Sequence, residues 1–197
     1  MLFPVKANAN KKAVVQYASI PLFNDKEIKK IIDKLDDNKW DDSMVYDNKT
    51  EEISKHKIRT NKEQPLWPEQ GGFPFDIITE EIFNVNSEYW NFDIRYIDFA
   101  KDPPLVLKYV LNQEFNWHFD MSGVSSTRKL SFTIQLSDSD DYEGGDLQFG
   151  PVIEHKPEIR KKGNITIFPS YVWHRVTPVT KGNRYALVGW VHGPAFK

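Results

Sequence analysis

From Phe92 to His192 the chain is a succession of short runs whose apolar side chains fall at every second position. A period of two puts neighbouring side chains on opposite faces of a strand, so each run demands a partner strand and a core on one side. Phe92, Ile94 and Tyr96 alternate with charged residues. Leu105, Leu107, Tyr109 and Leu111 repeat the spacing after Pro103-Pro104. Further strands are predicted over 128–137, 146–149, 159–161, 165–168, 174–179 and 185–192. Turn chemistry separates them in Glu143-Gly144-Gly145, Lys162-Gly163-Asn164 and Lys181-Gly182-Asn183.

Upstream the pattern is different. Residues 13–20 read as a short opening strand. Asn24-Asp25-Lys26-Glu27 then carries a helix start, an Asx N-cap with Glu at the third helical position. Ile28, Ile31, Ile32 and Leu35 form one apolar stripe, and the helix is expected to stop near Asp37-Asn38. Residues 36–72 are charged and poor in aliphatics. Two short strands are expected there, at 43–46 and 57–60, around a polar loop at 47–55. That loop is either a solvated surface segment or a flap over a substrate. After Pro65, Pro68 and Gly71-Gly72, the spacing of Ile78, Ile82, Val85 and Tyr89 predicts a second helix over about 76–89. Two helices followed by many short antiparallel strands define an α+β chain, mainly β, with a sandwich or jelly-roll body.

Bulk properties narrow the function. A chain of 197 residues suits one domain with a substantial core. Residues 1–90 would form a helical and flap region, and 91–197 the core. The net charge of −2 and pI near 6.2 give no global attraction to nucleic acid or anionic membrane. The absence of cysteine excludes disulfides, thiolate metal sites and a cysteine nucleophile. Residues 1–15 have no apolar core of a secretory signal, and no run approaches the roughly 20 apolar residues of a membrane span. A soluble cytoplasmic protein is expected.

Chemistry enters at Trp117-His118-Phe119-Asp120. In a strand, His118 and Asp120 share a face, and a third residue such as His174 could complete a 2-His-1-carboxylate set suited to non-haem Fe(II). Alone the pair is weak evidence: 5 His and 28 acidic residues in 197 give about 0.7 His-x-acid pairs by composition. Two strands add to it. Ser131, Thr133, Gln135 and Ser137 alternate with Leu130, Phe132, Ile134 and Leu136, so their polar face either meets solvent or lines a pocket. Arg184 shares a face with Ala186, Val188 and Trp190. A buried arginine beside such a face needs an anion, and its fork matches a carboxylate.

Taken in order, these residues resemble the Fe(II)- and 2-oxoglutarate-dependent dioxygenases, in particular the prolyl-4-hydroxylase-type branch. The matches are Tyr109 nine residues before His118, His118-Phe119-Asp120, Arg128-Lys129-Leu130-Ser131 and Tyr142-Glu143-Gly144-Gly145-Asp146-Leu147. They continue with Phe168-Pro169-Ser170, His174-Arg175-Val176-Thr177-Pro178-Val179, Arg184 ten residues after His174, and Trp190. The resemblance implies a double-stranded β-helix (jelly roll) with supporting N-terminal helices. It implies Fe(II) on His118, Asp120 and His174, and 2-oxoglutarate as cosubstrate on Arg184 with Tyr109 and Gln135. O2 and ascorbate as reductant are implied with them. Trp190 and Arg128 would wall the substrate pocket. Phe115 and Asn112 stand where the branch commonly has Tyr and Gly. The intact Asp120 argues against a halogenase. The implied activity is hydroxylation coupled to decarboxylation of 2-oxoglutarate, on a prolyl residue of a peptide or protein, or on a free amino acid or other small molecule. A metal-binding jelly-roll module without turnover is the reading from another class. His56, His155 and His192 have no supporting spacing and are expected at the surface.

Overall fold

The computed structural model describes residues 15–47, 52–54, 57–123, 125–150 and 157–196. The expectations for residues 1–14, for the middle of the 47–55 loop, and for His56 and His155 lie outside them. The first strand, β1 (Ala18–Pro21), leads into helix α1 (Asp25–Ile32). The Asn24 side chain accepts from the amides of Lys26 and Glu27, and Glu27 reaches back to the Asn24 amide, so the capping box forms. The helix ends at Ile32, earlier than expected, because only Ile28 and Ile31 are buried and Ile32 is exposed.

Residues 36–72 hold more strand than their composition suggested: β2 (Asp41–Asp42), β3 (Val45–Asp47), β4 (Glu52–Ser54) and β5 (Lys62–Pro65). The β3–β4 hairpin replaces the expected strand at 57–60, where Arg59 makes only an isolated bridge to Phe115. Helix α2 (Phe75–Tyr89) follows as predicted, burying Ile78, Ile82 and Val85. The segment from Phe92 to Tyr96 is not a strand. Among the described residues it pairs only through one bridge, Tyr96 to His192.

The remaining elements are β6 (Leu105–Tyr109), β7 (Phe115–His118), β8 (Arg128–Gln135), a 3-10 turn (Ser139–Asp141), β9 (Tyr142–Gly144) and β10 (Leu147–Phe149). They continue with α3 (Pro157–Arg160), β11 (Asn164–Pro169), β12 (His174–Val176), β13 (Val179–Gly182) and β14 (Arg184–His192). The strand expected at 159–161 is instead the single helical turn α3. Pro157, which pre-sets a helical φ, heads it, and Ile159 alone is buried.

The strands form a jelly roll. A seven-stranded antiparallel sheet runs β1-β11-β8-β14-β6-β5-β2, and β10-β12-β7 forms a smaller sheet with the β13-β9 ribbon beside it. Three of the seven strands come from before residue 91. The outer face of the large sheet packs Leu130, Ile134, Ile165, Ile167 and Leu187 against Ile28, Ile31, Ile78 and Ile82 of the helices. Truncating one of these fully buried side chains to Ala would cost about 2–5 kcal/mol. A second cluster, with Leu107, Tyr109, Phe149, Phe168 and Val176, fills the interior of the roll. The polar face of β8 therefore turns inward, toward a cavity. Among the described residues no helix is long and apolar enough to cross a membrane.

Candidate metal centre and the cavity behind it

His118 and His174 are direct cross-strand partners on β7 and β12. Their rings come within 4.2 Å, centroid to centroid. Asp120 lies two residues beyond the end of β7 and turns its carboxylate between them. Oδ1 is 3.6 Å from His118 Nε2, and Oδ2 is 3.6 Å from His174 Nε2. Ligand atoms from these three residues all lie within 4.8 Å of one another.

The donor set fits a divalent metal. Each Nδ1 faces a backbone carbonyl, Asn116 O at 2.7 Å from His118 and Val172 O at 2.8 Å from His174. A carbonyl can only accept, so Nδ1 carries the proton and Nε2 keeps its lone pair for the common point. Burial, reinforced by the neighbouring His174, depresses His118 to about 3 and leaves it a neutral imidazole. Burial alone would raise Asp120, yet the two histidines, Arg128 and the Ser131 hydroxyl bring it down to about 2, so it is a carboxylate. Aromatic rings fix the imidazoles: Phe115 stacks on His118, and Phe168 meets His174 edge-on at 4.7 Å. Phe115, where the family commonly has Tyr, thus packs on a candidate ligand.

Behind the three residues a cavity is lined by Leu107, Tyr109, Thr133, Phe168, Val188 and Arg184. Arg184 pairs directly with Tyr109 across β14 and β6. Its guanidinium carbon is 5.4 Å from the Tyr109 ring. Only 4% of Arg184 is exposed, and among the described residues no acid forms an ion pair with it. A cation so placed, in an otherwise apolar cavity, calls for an anionic ligand. Burial pushes the Tyr109 phenol above its ordinary pKa against the pull of Arg184, so it remains a proton donor. Gly145 makes room for the arginine: a Cβ there would meet Arg184 Cδ at 3.0 Å, and its φ of +62° suits glycine.

Gln135 is not among the cavity-lining residues. Its amide donates to Tyr142 Oη at 3.0 Å, and Thr133, two residues earlier on the same face, lines the cavity instead. Trp190 lines both the cavity and a larger outer cleft of about 340 Å³. Arg128 lies across its ring, 3.6 Å from the centroid, and is bound by both oxygens of Asp102 at 2.7 and 2.6 Å. His192, expected at the surface, is 6% exposed. It stacks on Tyr96, meets Thr127 Oγ1 at 3.0 Å, and sets Nε2 3.1 Å from Asp102. Sequence reasoning missed it because its partners are scattered through three loops. Asn112, at the position where the family commonly has Gly, adopts φ +65°, a conformation asparagine tolerates.

The fold and site define a class: a jelly roll carrying His-x-Asp and a distant His at the mouth of a cavity closed by a buried arginine. Residues 104–192 match the family described as the 2OG-Fe(II) oxygenase superfamily. A PKHD-type hydroxylase of Synechococcus sp. (strain CC9605) is 40% identical over 89 residues, 44% of this chain and 40% of the relative. A PKHD-type hydroxylase of Hyphomonas neptunium (strain ATCC 15444) is 29% identical over 78% of this chain and 67% of its own length. The chain thus covers about two fifths of the first relative. Among solved structures, a Pseudomonas putida prolyl-4-hydroxylase superposes with TM-score 0.67 at 16% identity, over 91% of this chain and 94% of the other. A Trichoplax adhaerens prolyl hydroxylase, in complex with a hypoxia inducible factor oxygen degradation domain peptide fragment, gives 0.67 at 17%, over 90% and 83%. Residues 104–192 are thus similar to the 2OG-Fe(II) oxygenase superfamily, and the fold around them resembles that of the prolyl-4-hydroxylase structures.

Proposed function

We propose that the chain is an Fe(II)- and 2-oxoglutarate-dependent dioxygenase that hydroxylates a prolyl residue in a peptide or protein. One observation carries the reaction class. A preoriented His-Asp-His set stands at the mouth of a cavity whose wall holds a buried arginine with no acid partner among the described residues. His118, Asp120 and His174 would hold the iron. When bound there, Fe(II) supplies the oxygen chemistry that couples decarboxylation of the keto acid to oxidation of a C–H bond.

The chain's own residues do the rest. Arg184 binds the distal carboxylate with its fork, and Tyr109 donates to the same ligand. Leu107, Phe168, Val176 and Val188 exclude water around it. Trp190 and Arg128 wall the acceptor's side.

The prolyl assignment is supported by the two prolyl hydroxylases among the structural neighbours. The outer cleft agrees with a peptide. It is lined by Met44, Phe119, Met121 and Trp190, with two serines, and both of its arginines are already paired, Arg59 to Glu63 and Arg128 to Asp102. A free amino acid would bring a carboxylate for which these groups offer no spare cation.

Succinate release, measured with and without a proline-containing peptide, tests the reading. Peptide-dependent succinate with a matching mass gain of one oxygen supports it. Turnover only with a free amino acid would reject the acceptor, and no turnover with any acceptor would favour a binding module.

A further inference from the structure

Asp120 stands where the fold gives it least guidance. The β7 ladder ends at His118, so no strand pleat dictates which way a carboxylate two residues later points. Its backbone is tied down: its amide donates to Ser170 O at 3.0 Å, and its carbonyl accepts from Arg128 Nη1 at 3.2 Å. Side-chain rotation needs a separate restraint, and two buried hydroxyls supply one. Ser131 Oγ lies 2.6 Å from Asp120 Oδ2, and Ser170 Oγ lies 3.0 Å from Ser131 Oγ.

The direction of this chain follows from proton inventory. A carboxylate accepts only, so the single Ser131 proton goes to Asp120. Ser131 Oγ must then accept from Ser170. Each bond polarises the next, in a place that water does not reach. Both serines are rigidly mounted. Ser131 sits on central strand β8, paired with Phe168 on one side and Trp190 on the other, and the Ser170 amide donates to Lys129 O.

We propose that Ser131, backed by Ser170, is a positioning residue that fixes the rotation of the Asp120 carboxylate between His118 and His174. The inference rests on the reading of His118, Asp120 and His174 as metal ligands. With Oδ2 held by the hydroxyl the plane of the carboxylate is set, and Oδ1 and Oδ2 stay 3.6 Å from His118 Nε2 and His174 Nε2 respectively.

The test uses the full chain with Co(II) in place of iron. Metal affinity is read by titration, the visible ligand-field spectrum by absorption, and the fold by melting of the metal-free protein. Ser131→Ala is expected to bind Co(II) about 10- to 100-fold more weakly, with an altered ligand-field spectrum. Ser170→Ala keeps the direct hydroxyl, so it should show a smaller loss in the same direction, and it keeps the idea testable if Ser131→Ala does not fold. Wild-type affinity and spectrum in Ser131→Ala would overturn the proposal while leaving the ligand assignment standing. A larger effect from Ser170 than from Ser131 would also overturn it. Wild-type protein that takes no Co(II) would overturn both.

Discussion

Replacing Arg184 with Met separates two costs that usually travel together. The arginine is buried at the cavity without an acid partner among the described residues, so in the ligand-free protein its charge has been taken from water with little in return. Methionine keeps much of the stem volume that lies against Gly145. The ligand-free variant should therefore melt at or above the wild-type temperature. In a chain of this size each kcal/mol regained is worth about 2–4 °C. Ligand binding should move the other way. Removing one partner of a desolvated, charge-assisted pair costs about 2–5 kcal/mol, or roughly 30- to 4000-fold in affinity. The assay is thermal unfolding with Mn(II) and graded 2-oxoglutarate. At a hundred times its Kd the keto acid should stabilise wild type by about 2.7 kcal/mol, or roughly 5–10 °C, and barely move the variant. Equal stabilisation of both proteins would refute the assignment, and a large fall in the ligand-free melting temperature would refute the view of Arg184 as an uncompensated charge.

His174→Ala should abolish Fe(II) binding and turnover while the protein remains folded; retention of full iron affinity by equilibrium dialysis would contradict its ligand role. Asp102→Asn should cost about 1–3 kcal/mol in urea unfolding, since it leaves Arg128 stacked on Trp190 without its counter-ion. Burial raises the Asp102 carboxyl, but His192 and Arg128 more than reverse this and hold it below its ordinary value. Its contribution is therefore complete above about pH 4 and is lost as pH falls further through the folded-state value. The gap between wild type and Asp102→Asn should close only in that acid window, and a gap already closing near pH 6 would show that another group governs it.

What could be read from the chain depended on whether a local period or a distant partner decided the outcome. His118 and Asp120 were legible as a local His-x-Asp pair, although β7 ends at His118 and the strand repeat that suggested a shared face stops before Asp120, and the α1 capping box was legible because it is written within four positions. The inward face of β8 was visible as an alternation, but its destination was not. Ser131 and Thr133 look like solvent-facing residues until the small sheet folds over them. Gln135 shares their face yet stands off the cavity, because Tyr142 claims its amide. Phe92, Ile94 and Tyr96 had the right spacing for a strand and, among the described residues, found only one bridge. The Asp102, Arg128 and His192 cluster left no local trace at all, since it joins positions 26 and 64 residues apart.

The pairing of β7 with β12 does more than bring two imidazoles together. Trp117 on β7 and Trp173 just before β12 sit beside them with ring planes 4° apart, so in each segment an indole precedes the imidazole by one position. A slip of one residue would exchange indole for imidazole at the ion's position. On the proposed ligand assignment, a chain paired out of phase at this point would lack its second imidazole, so iron loading would report on the alignment of β7 with β12.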